Sequence, residues 1–396
     1  MSLSRRDLIE LGLAGTSAAL ITNVASAQPA VQQPAAKLPE GERIGVAVVG
    51  LGKLSLEQII PALRKTTGVK LAALVSGHPD KARRVAAENN LPADAIYSYE
   101  DFDRIARDPR VGIVYIVLPN FLHKEYTIRA FKTGKHVLCE KPMATTVADA
   151  EAMIAAGKAA NRQLMIAYRC HYEPKNLEAM RRIRSGRYGK PRLVVTDMLR
   201  GSDLNDPSDA WRLDMVKSGG GALADMGIYG INGARYLLNE EPVEVRAWEH
   251  TDRSDPRFKT VPDLVAWQFR FPSGAIANGS TSFSVGGTMR WDVFCDKARL
   301  RGDPGAYYNG NHLEIFSSPD EGEVKIAEVD QFAREMDWMG DVVRGRVPLV
   351  SPGEEGLQDM RLMAAILQST REGGRTVTVD WQYKRAHDPA VAVPVA

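Results

Sequence analysis

Cysteine is scarce in this chain: its 396 residues contain three, Cys139, Cys170 and Cys295. So few, so far apart, build neither a disulfide framework nor a pair of metal ligands. The apolar surroundings of Cys139 and Cys170 make buried, inert thiols the default. An excess of charge of either sign is also lacking. Lys and Arg number 51 against 49 Asp and Glu, a formal net charge of +2, which leaves no field to attract nucleic acid or an acidic membrane. Past the N-terminus no run approaches the ~20 apolar residues of a membrane-spanning helix. Neither H-E-x-x-H nor G-x-S-x-G occurs, and His, Cys and carboxylates do not cluster. The chain is therefore expected to hold no metal and to carry no serine-hydrolase site. What is present is ordinary globular composition, 44% hydrophobic and 25% charged, in a length that suits two or three domains.

The N-terminus reads as an address. Arg5 and Arg6 precede a mildly apolar stretch from Leu8 to Val24, and Ala25-Ser26-Ala27 fits the A-x-A rule for cleavage. Ser-Arg-Arg-Asp-Leu-Ile resembles a twin-arginine signal, which carries folded proteins to the periplasm with their ligands already loaded. Residues 1–27 are expected to be removed, leaving no membrane attachment. Residues 28–42, "QPAVQQPAAKLPEGE", are too rich in Pro, Gln and Ala to fold alone. They are expected to form an arm or linker.

From Arg43 short apolar runs alternate with helical patterns. "IGVAVVG", "VKLAALVSG", "VGIVYIVLP", "KHVLCEKP" and "QLMIAY" read as strands, and "LSLEQIIPALRKT", "PDKARRVAAENN", "HKEYTIRAFKTG" and "VADAEAMIAAGKAAN" as helices. This alternation predicts a doubly wound parallel sheet, an α/β domain of Rossmann type over residues 43–170. From His171 long strands follow one another: "RLVVTDML", "VEVRAWEH", "LVAWQFRFP", "AIANGSTSFS", "TMRWDVFCDKARLRGD" and "EVKIAEV". Hairpin signals such as Pro272-Ser273-Gly274 join them. Residues 171–396 are predicted to form an α+β domain on a large, open-faced, mainly antiparallel sheet. Such a sheet needs cover for its apolar face, which points to a homodimer or homotetramer.

The chemistry lies at the joints. Gly50-x-Gly52-x-x-Ser55, with Lys53 and Leu54 inside it, links the first strand to a helix. Glycines there permit a tight turn and close approach to a pyrophosphate, and the helix N-terminus favours negative charge. The second strand ends in Ser76, where an NAD enzyme usually places an acid on the ribose 2′-hydroxyl. Lys81, Arg83 and Arg84 follow. A hydroxyl with cations suits a 2′-phosphate and so favours NADP, although the same cations also suit a solvated helix face. Pro119-Asn120-x-x-His123 and Glu140-Lys141-Pro142 stand beyond the carboxyl ends of the third and fourth strands, where open α/β sheets bind ligands. His123 reads either as a ligand-facing group or as a helix-start histidine without a chemical role. Further on, Asp225 and Tyr229 at i and i+4 share a helix face. Ahead of them, Gly219-Gly220-Gly221 permits close backbone approach to something flat, and Trp211-Arg212 offers a stacking surface and a donor fork. Taken alone, Tyr229 also reads as a core tyrosine.

Together, G-x-G, P-N-x-x-H, E-K-P, W-R and G-G-G-x-x-x-D-x-G-x-Y resemble the glucose–fructose oxidoreductase (Gfo/Idh/MocA) family. "CEKPMAT", "YRCHYEP", "DMGIYGINGARYLL" and "SPGEEG" are similar to the subgroup that includes the aldose–aldose oxidoreductases. In the wider family the position of Tyr229 is commonly His. The resemblance implies NADP held so tightly that it does not leave between turnovers. It assigns Ser76, Lys81, Arg83 and Tyr99 to the adenosine phosphate, and Trp211 and Arg212 to the nicotinamide side. Gly50, Gly52, Lys53, Leu54, Pro119, Asn120, His123, Glu140, Lys141 and Arg169 complete the cofactor set, and Lys141, Tyr229 and Asp225 are assigned to catalysis. Small sugars are the implied substrates: an aldose oxidised at C1 and a second sugar reduced by ping-pong hydride transfer. The Lys141 ammonium is expected to lower the phenol pKa of Tyr229 from its usual ~10. Compartment logic agrees, since a periplasm offers no NADP pool and only a closed cycle on trapped cofactor keeps turning over. Three other readings stay open: a sugar dehydrogenase with exchangeable NADP, glycoside cleavage by transient oxidation, and a non-catalytic sugar- or nucleotide-binding module.

Overall fold

Consecutive apolar residues such as Val46–Val49, all buried, suit a strand covered on both faces. In a computed structural model, which describes residues 36–379 and 383–395, six such strands form one sheet. They are β1 (Ile44–Val49), β2 (Val69–Val75), β3 (Ile96–Tyr97), β4 (Val111–Ile116), β5 (His136–Glu140) and β6 (Leu164–Ala167). Their order is β3-β2-β1-β4-β5-β6 and every pair is parallel. Strand order reverses between β1 and β4, so the residues that leave these two strands flank the crevice where such sheets take ligands. The expected signal, residues 1–27, and residues 28–35 of the expected arm lie outside the described residues. The arm's last residues run beside β2, where Leu38 N donates to the Thr67 carbonyl at 3.0 Å and Lys70 pairs with Glu40 at 2.8 Å.

The second sheet is built from β7 (Pro191–Gly201), β8 (Glu244–His250), β9 (Leu264–Arg270), β10 (Ile276–Ser282), β11 (Ser284–Cys295), β12 (Arg299–Gly302), β13 (Glu314–Phe316), β14 (Gly322–Glu323) and β15 (Val377–Thr378). The order is β14-β13-β12-β11-β7-β10-β9-β8-β15. Only β7 and β10 pair in parallel; the other neighbours are antiparallel. Alternation sorts the two faces. Along β9, Val265, Trp267 and Phe269 are buried, and Ala266, Gln268 and Arg270 are exposed. The inner face packs on helices Ile228–Leu238 and Gly353–Arg371.

Two strand expectations are corrected. "TMRWDVFCDKARLRGD" is not one strand. It breaks at Asp296–Ala298, where Cys295 N donates to the Ala298 carbonyl at 2.7 Å to close a turn between β11 and β12. Of "EVKIAEV" only Glu323 is in a strand. Val324 N still reaches the Leu313 carbonyl at 2.8 Å, but beyond it no described strand offers a ladder, and alternation without a partner does not make a strand. The late helices return to the first sheet. Asp337, on helix Gln331–Val343, accepts from the Thr67 and Gly68 amides at 2.8 and 2.7 Å. Helix Gly353–Arg371 packs on both helix Val147–Ala160 and β8.

Candidate active site

β1 runs into Gly50 at φ +95°. A Cβ there would lie 2.3 Å from the Val117 carbonyl oxygen, so backbone and neighbour together demand glycine. Gly52 faces open space, with nothing within 4 Å of the position a Cβ would take. Ser55 is buried, and its hydroxyl donates to the Gly50 carbonyl at 2.6 Å. That bond ties the turn shut and gives the third position a reason to be Ser. At the end of β2, the buried Ser76 hydroxyl accepts from His78 N at 3.1 Å. Lys81 donates to the Leu51 carbonyl at 3.3 Å, and the Tyr99 ring lies 3.2 Å from where a Cβ on Gly77 would be. Ser76, Lys81 and Tyr99 thus gather at one corner beside the turn. Arg83 and Arg84 lie on the exposed helix surface, ion-paired with Asp80 and Glu88.

At the crevice, buried Asn120 donates to the Ser218 carbonyl at 2.8 Å and so joins the two sheets' loops. His123 is placed differently from expectation. It is fully buried, with Nδ1 2.8 Å from the Pro142 carbonyl and Nε2 2.7 Å from the Leu118 carbonyl. Wedged between the two carbonyls, the ring donates its single N–H to one of them, holds the P-N-x-x-H turn against the E-K-P turn and offers nothing to a cofactor. Burial pushes its pKa down to about 4, leaving a neutral ring. The Gly219–Gly221 run is also spent on packing. All three have positive φ; a Cβ on Gly219 would meet the Thr145 Cα at 2.9 Å, and one on Gly221 the Val261 Cβ at 2.7 Å.

Lys141, Asp225, Tyr229 and Arg169 meet at the centre. Lys141 Nζ donates to the Asp225 carbonyl at 2.8 Å and lies 3.5 Å from its Oδ1. Asp225 Oδ2 lies 3.0 Å from Arg212 Nε and accepts from Arg200 at 3.2 Å. Burial alone would raise the Asp225 carboxyl. The charges of Arg212, Lys141 and Arg200 outweigh it and hold the group far below the usual range, permanently ionised. For Tyr229 the balance runs the other way, contrary to expectation. Burial dominates and raises the phenol well above its ordinary value, and the cation that most opposes this is Arg169 rather than Lys141. The Arg169 guanidinium is sandwiched between the Tyr229 and Tyr308 rings, 4.8 and 4.6 Å from their centres.

These groups sit where two clefts adjoin. One, of about 570 Å³, opens on Gly52, Lys53, Leu54, Asn120, Glu140 and Trp211. The other, of about 580 Å³, is lined by Glu57, Gln58, Arg200, Asp209, Tyr307 and Asn309 among others. Lys141, Arg169, Arg212, Asp225 and Tyr229 line both. Residues 44–168 match an oxidoreductase family with an NAD-binding Rossmann fold, Gfo/Idh/MocA, and residues 176–301 match the C-terminal domain of that family. The chain belongs to the Gfo/Idh/MocA family. Among solved structures it is similar to an aldose–aldose oxidoreductase from Caulobacter crescentus complexed with glycerol. That similarity is 42% identity and a TM-score of 0.81, over 85% of this chain and 100% of that one. A D-xylose 1-dehydrogenase [NADP(+)] from Haloarcula marismortui is 32% identical over 84% of this chain and 92% of its own. A 3-ketoreductase from Actinomadura kijaniata in complex with NADP shares the fold, with a TM-score of 0.72 at 23% identity over 83% of this chain and 98% of its own.

Several groups at this Gfo/Idh/MocA site were not anticipated. Arg200 leaves β7 to bind Asp209 at 2.8 Å as well as Asp225. Tyr308 comes from the loop after β12. Gln331 and Phe332 come from the start of a late helix, with Gln331 accepting from Arg169 at 2.9 Å. No local pattern marks these positions; the fold brings them together from distant segments.

Proposed function

We propose that the chain is a sugar oxidoreductase that works on a retained NADP. An aldose is oxidised at C1 to its lactone, and a second sugar is reduced to an alditol on the same nucleotide. We further propose that it is exported by the twin-arginine route to the periplasm and acts there as a homodimer or homotetramer. The observation that carries the reading is the placement of Tyr229, Lys141, Arg169 and Asp225 at the junction of two clefts, one opening on the glycine turn and one rich in polar side chains. The names of the Caulobacter and Haloarcula relatives support the substrate class and the NADP.

The residues present fit the nucleotide. Gly50 makes the turn, Gly52 leaves space in front of it, and Lys53 and Leu54 open the following helix beside the cleft. Ser76, Lys81 and Tyr99 provide a corner for the adenosine phosphate, and Trp211 a flat surface on the cleft wall. NADP, when bound, supplies the hydride acceptor and donor. Asp225 stays ionised under its three cations and can accept from a sugar hydroxyl. Tyr229 exchanges the proton of the reacting oxygen: it takes the C1 hydroxyl proton in the first half-reaction and returns it in the second. Arg169 is placed to stabilise the phenolate that this role requires. To test the reading, purified protein is denatured and the released nucleotide identified, and the folded protein is mixed with glucose or xylose while near-ultraviolet absorbance is followed. NADP in the denatured supernatant, and its reduction by an aldose, are expected.

The Haloarcula relative favours a second reading, an NADP-dependent sugar dehydrogenase with exchangeable cofactor. Protein that carries no nucleotide and oxidises aldose only when NADP is added would select it.

A further inference from the structure

One wall of the polar cleft has no part in the chemistry above. Arg200, near the end of β7, and Asp209, on the short helix Pro207–Ala210, line this cleft but not the one that opens on the glycine turn. Asp225 lines both. The Arg200 fork is fully engaged. One terminal nitrogen donates to Asp209 Oδ2 at 3.1 Å and to the Gly201 carbonyl at 2.9 Å. The other donates to Asp209 Oδ1 at 2.8 Å and to Asp225 Oδ2 at 3.2 Å. These bonds use every N–H of the two terminal nitrogens. The guanidinium also lies over the ring of fully buried Phe283, 4.4 Å from its centre. A fork held in this way has one orientation and keeps no terminal donor for a ligand.

The two acids keep capacity to accept. A carboxylate has about four lone-pair positions. On Asp209 the Arg200 fork takes two of them and the Asp203 amide, at 3.2 Å, another. Asp225 Oδ1 has Lys141 Nζ at 3.5 Å, a long contact that leaves room for a better donor. Both side chains are mostly buried, 12% exposed for Asp209 and 15% for Asp225. Because they bind one nitrogen, the two carboxylates are neighbours along the cleft. A pyranose carries hydroxyls on adjacent carbons, so a single ring can reach both.

We propose that Asp209 selects the sugar by accepting from a hydroxyl other than the one at C1, and that Arg200 is the positioning residue that fixes it beside Asp225. The inference rests on the reading above. Asp225 stands with Tyr229 and Lys141 at the junction of the clefts and takes the reacting end of the ring. Asp209 takes a hydroxyl further along. A hydrogen bond to a charged acceptor is stronger than one between neutral groups. A sugar without that hydroxyl leaves a mostly buried carboxylate position with neither donor nor water. Sites built in this way reject a deoxy analogue far more strongly than an apolar pocket rejects a missing methylene.

Deoxy sugars test this. Protein carrying its NADP is mixed with glucose or with its 2-, 3-, 4- or 6-deoxy analogue, and reduction of the bound nucleotide is followed over a range of sugar concentrations. In the parent, one analogue is expected to fall about tenfold or more below glucose in rate per unit concentration. With Asp209→Ala, glucose should fall to near the level of that analogue while the analogue itself changes little, so their ratio closes towards one. The other analogues should keep their parent ratios. Asp209→Asn, of the same shape, is the second variant and should narrow the same ratio. Arg200→Met should narrow it too. It should raise the half-saturating sugar concentration more than it lowers the maximal rate, since Arg212 and Lys141 still hold Asp225. Arg200→Lys, which keeps a charge, should recover part of the loss. Variants that slow every sugar by one common factor would show a structural role and overturn the proposal. So would a parent that reduces its nucleotide equally well with glucose and every analogue, whether or not the variants fold. No reduced nucleotide with any aldose would overturn the functional reading itself and this inference with it.

Discussion

The Lys141 ammonium lies over the face of the Tyr229 ring, 4.5 Å from its centre. Its hydrogen bond goes to the Asp225 carbonyl at 2.8 Å, so the lysine grips the helix turn and the ring. A phenyl ring keeps the cation–π contact. Tyr229→Phe should therefore preserve packing and nucleotide binding while removing only the hydroxyl. Both half-reactions should slow together by ~10²–10⁴-fold, the usual scale of general acid–base catalysis. Stopped-flow absorbance of the bound nucleotide follows each half separately. A variant that oxidises aldose at near-parent rate would exclude the Tyr229 hydroxyl from the proton transfer.

Arg169 is the charge that most opposes the raised pKa of Tyr229. Removing it by Arg169→Met should raise the phenol further and move the alkaline-favoured limb of the pH–rate profile to higher pH. Arg169→Lys keeps a charge but loses the fork that holds the Ala306 and Tyr307 carbonyls. Its limb should move less, while KM rises as the loop carrying Tyr308 loosens. Equal profiles for parent and Met variant would contradict the role.

Much of this site is visible in the residues themselves. G-x-G, E-K-P and P-N-x-x-H mark the ends of strands whose apolar runs identify them as buried, and strand-end chemistry is local. His123 shows where such reading stops. Its position beside the crevice suggests a ligand role, but which way a ring turns depends on carbonyls at Leu118 and Pro142, and the second belongs to another loop. Tyr229 shows the same limit for electrostatics. Residue types identify a lysine and a tyrosine, but the balance between burial and charge comes from Arg169, Cys170, Glu140 and Asp225 together. Arg200, Tyr308 and Gln331 come from a strand, a loop and a helix start with no periodic signal for a ligand. The break between β11 and β12 was hidden because Asp296-Lys297 interrupts a strand-like run without Gly or Pro.

Ser76 is buried and its hydroxyl already accepts a backbone N–H. Ser76→Asp can keep that bond while setting a carboxylate toward the corner shared with Lys81 and Tyr99. NADP should then be held at least about tenfold more weakly, or about 1.4 kcal/mol, and NAD should gain relative to it. The measurement is the ratio of the two dissociation constants. An unchanged ratio would place the 2′-phosphate elsewhere.

His123 links stability to pH. Its pKa falls from an ordinary ~6.5 to about 4 in the folded chain, so between these values the unfolded state binds more protons. Stability should then rise with pH across that window and be lost as pH falls from about 6.5 to about 4. At ~1.36 kcal/mol per pKa unit the loss from this one group is about 3 kcal/mol. His123→Gln, which does not titrate, should be less stable than the parent near neutrality and should show a flatter decline towards acid. Urea unfolding at pH values across the window checks this. Parallel declines would show that His123 does not carry the linkage.

A closed cycle on retained NADP needs no nucleotide from outside. Purified protein, dialysed exhaustively, is given an aldose and an acceptor sugar together with no added nucleotide, and lactone and alditol are measured against moles of protein. Many equivalents of both products are expected, formed one for one, with NADP recovered only on denaturation. Product that stops at or below one equivalent, and resumes when NADP is supplied, would contradict it.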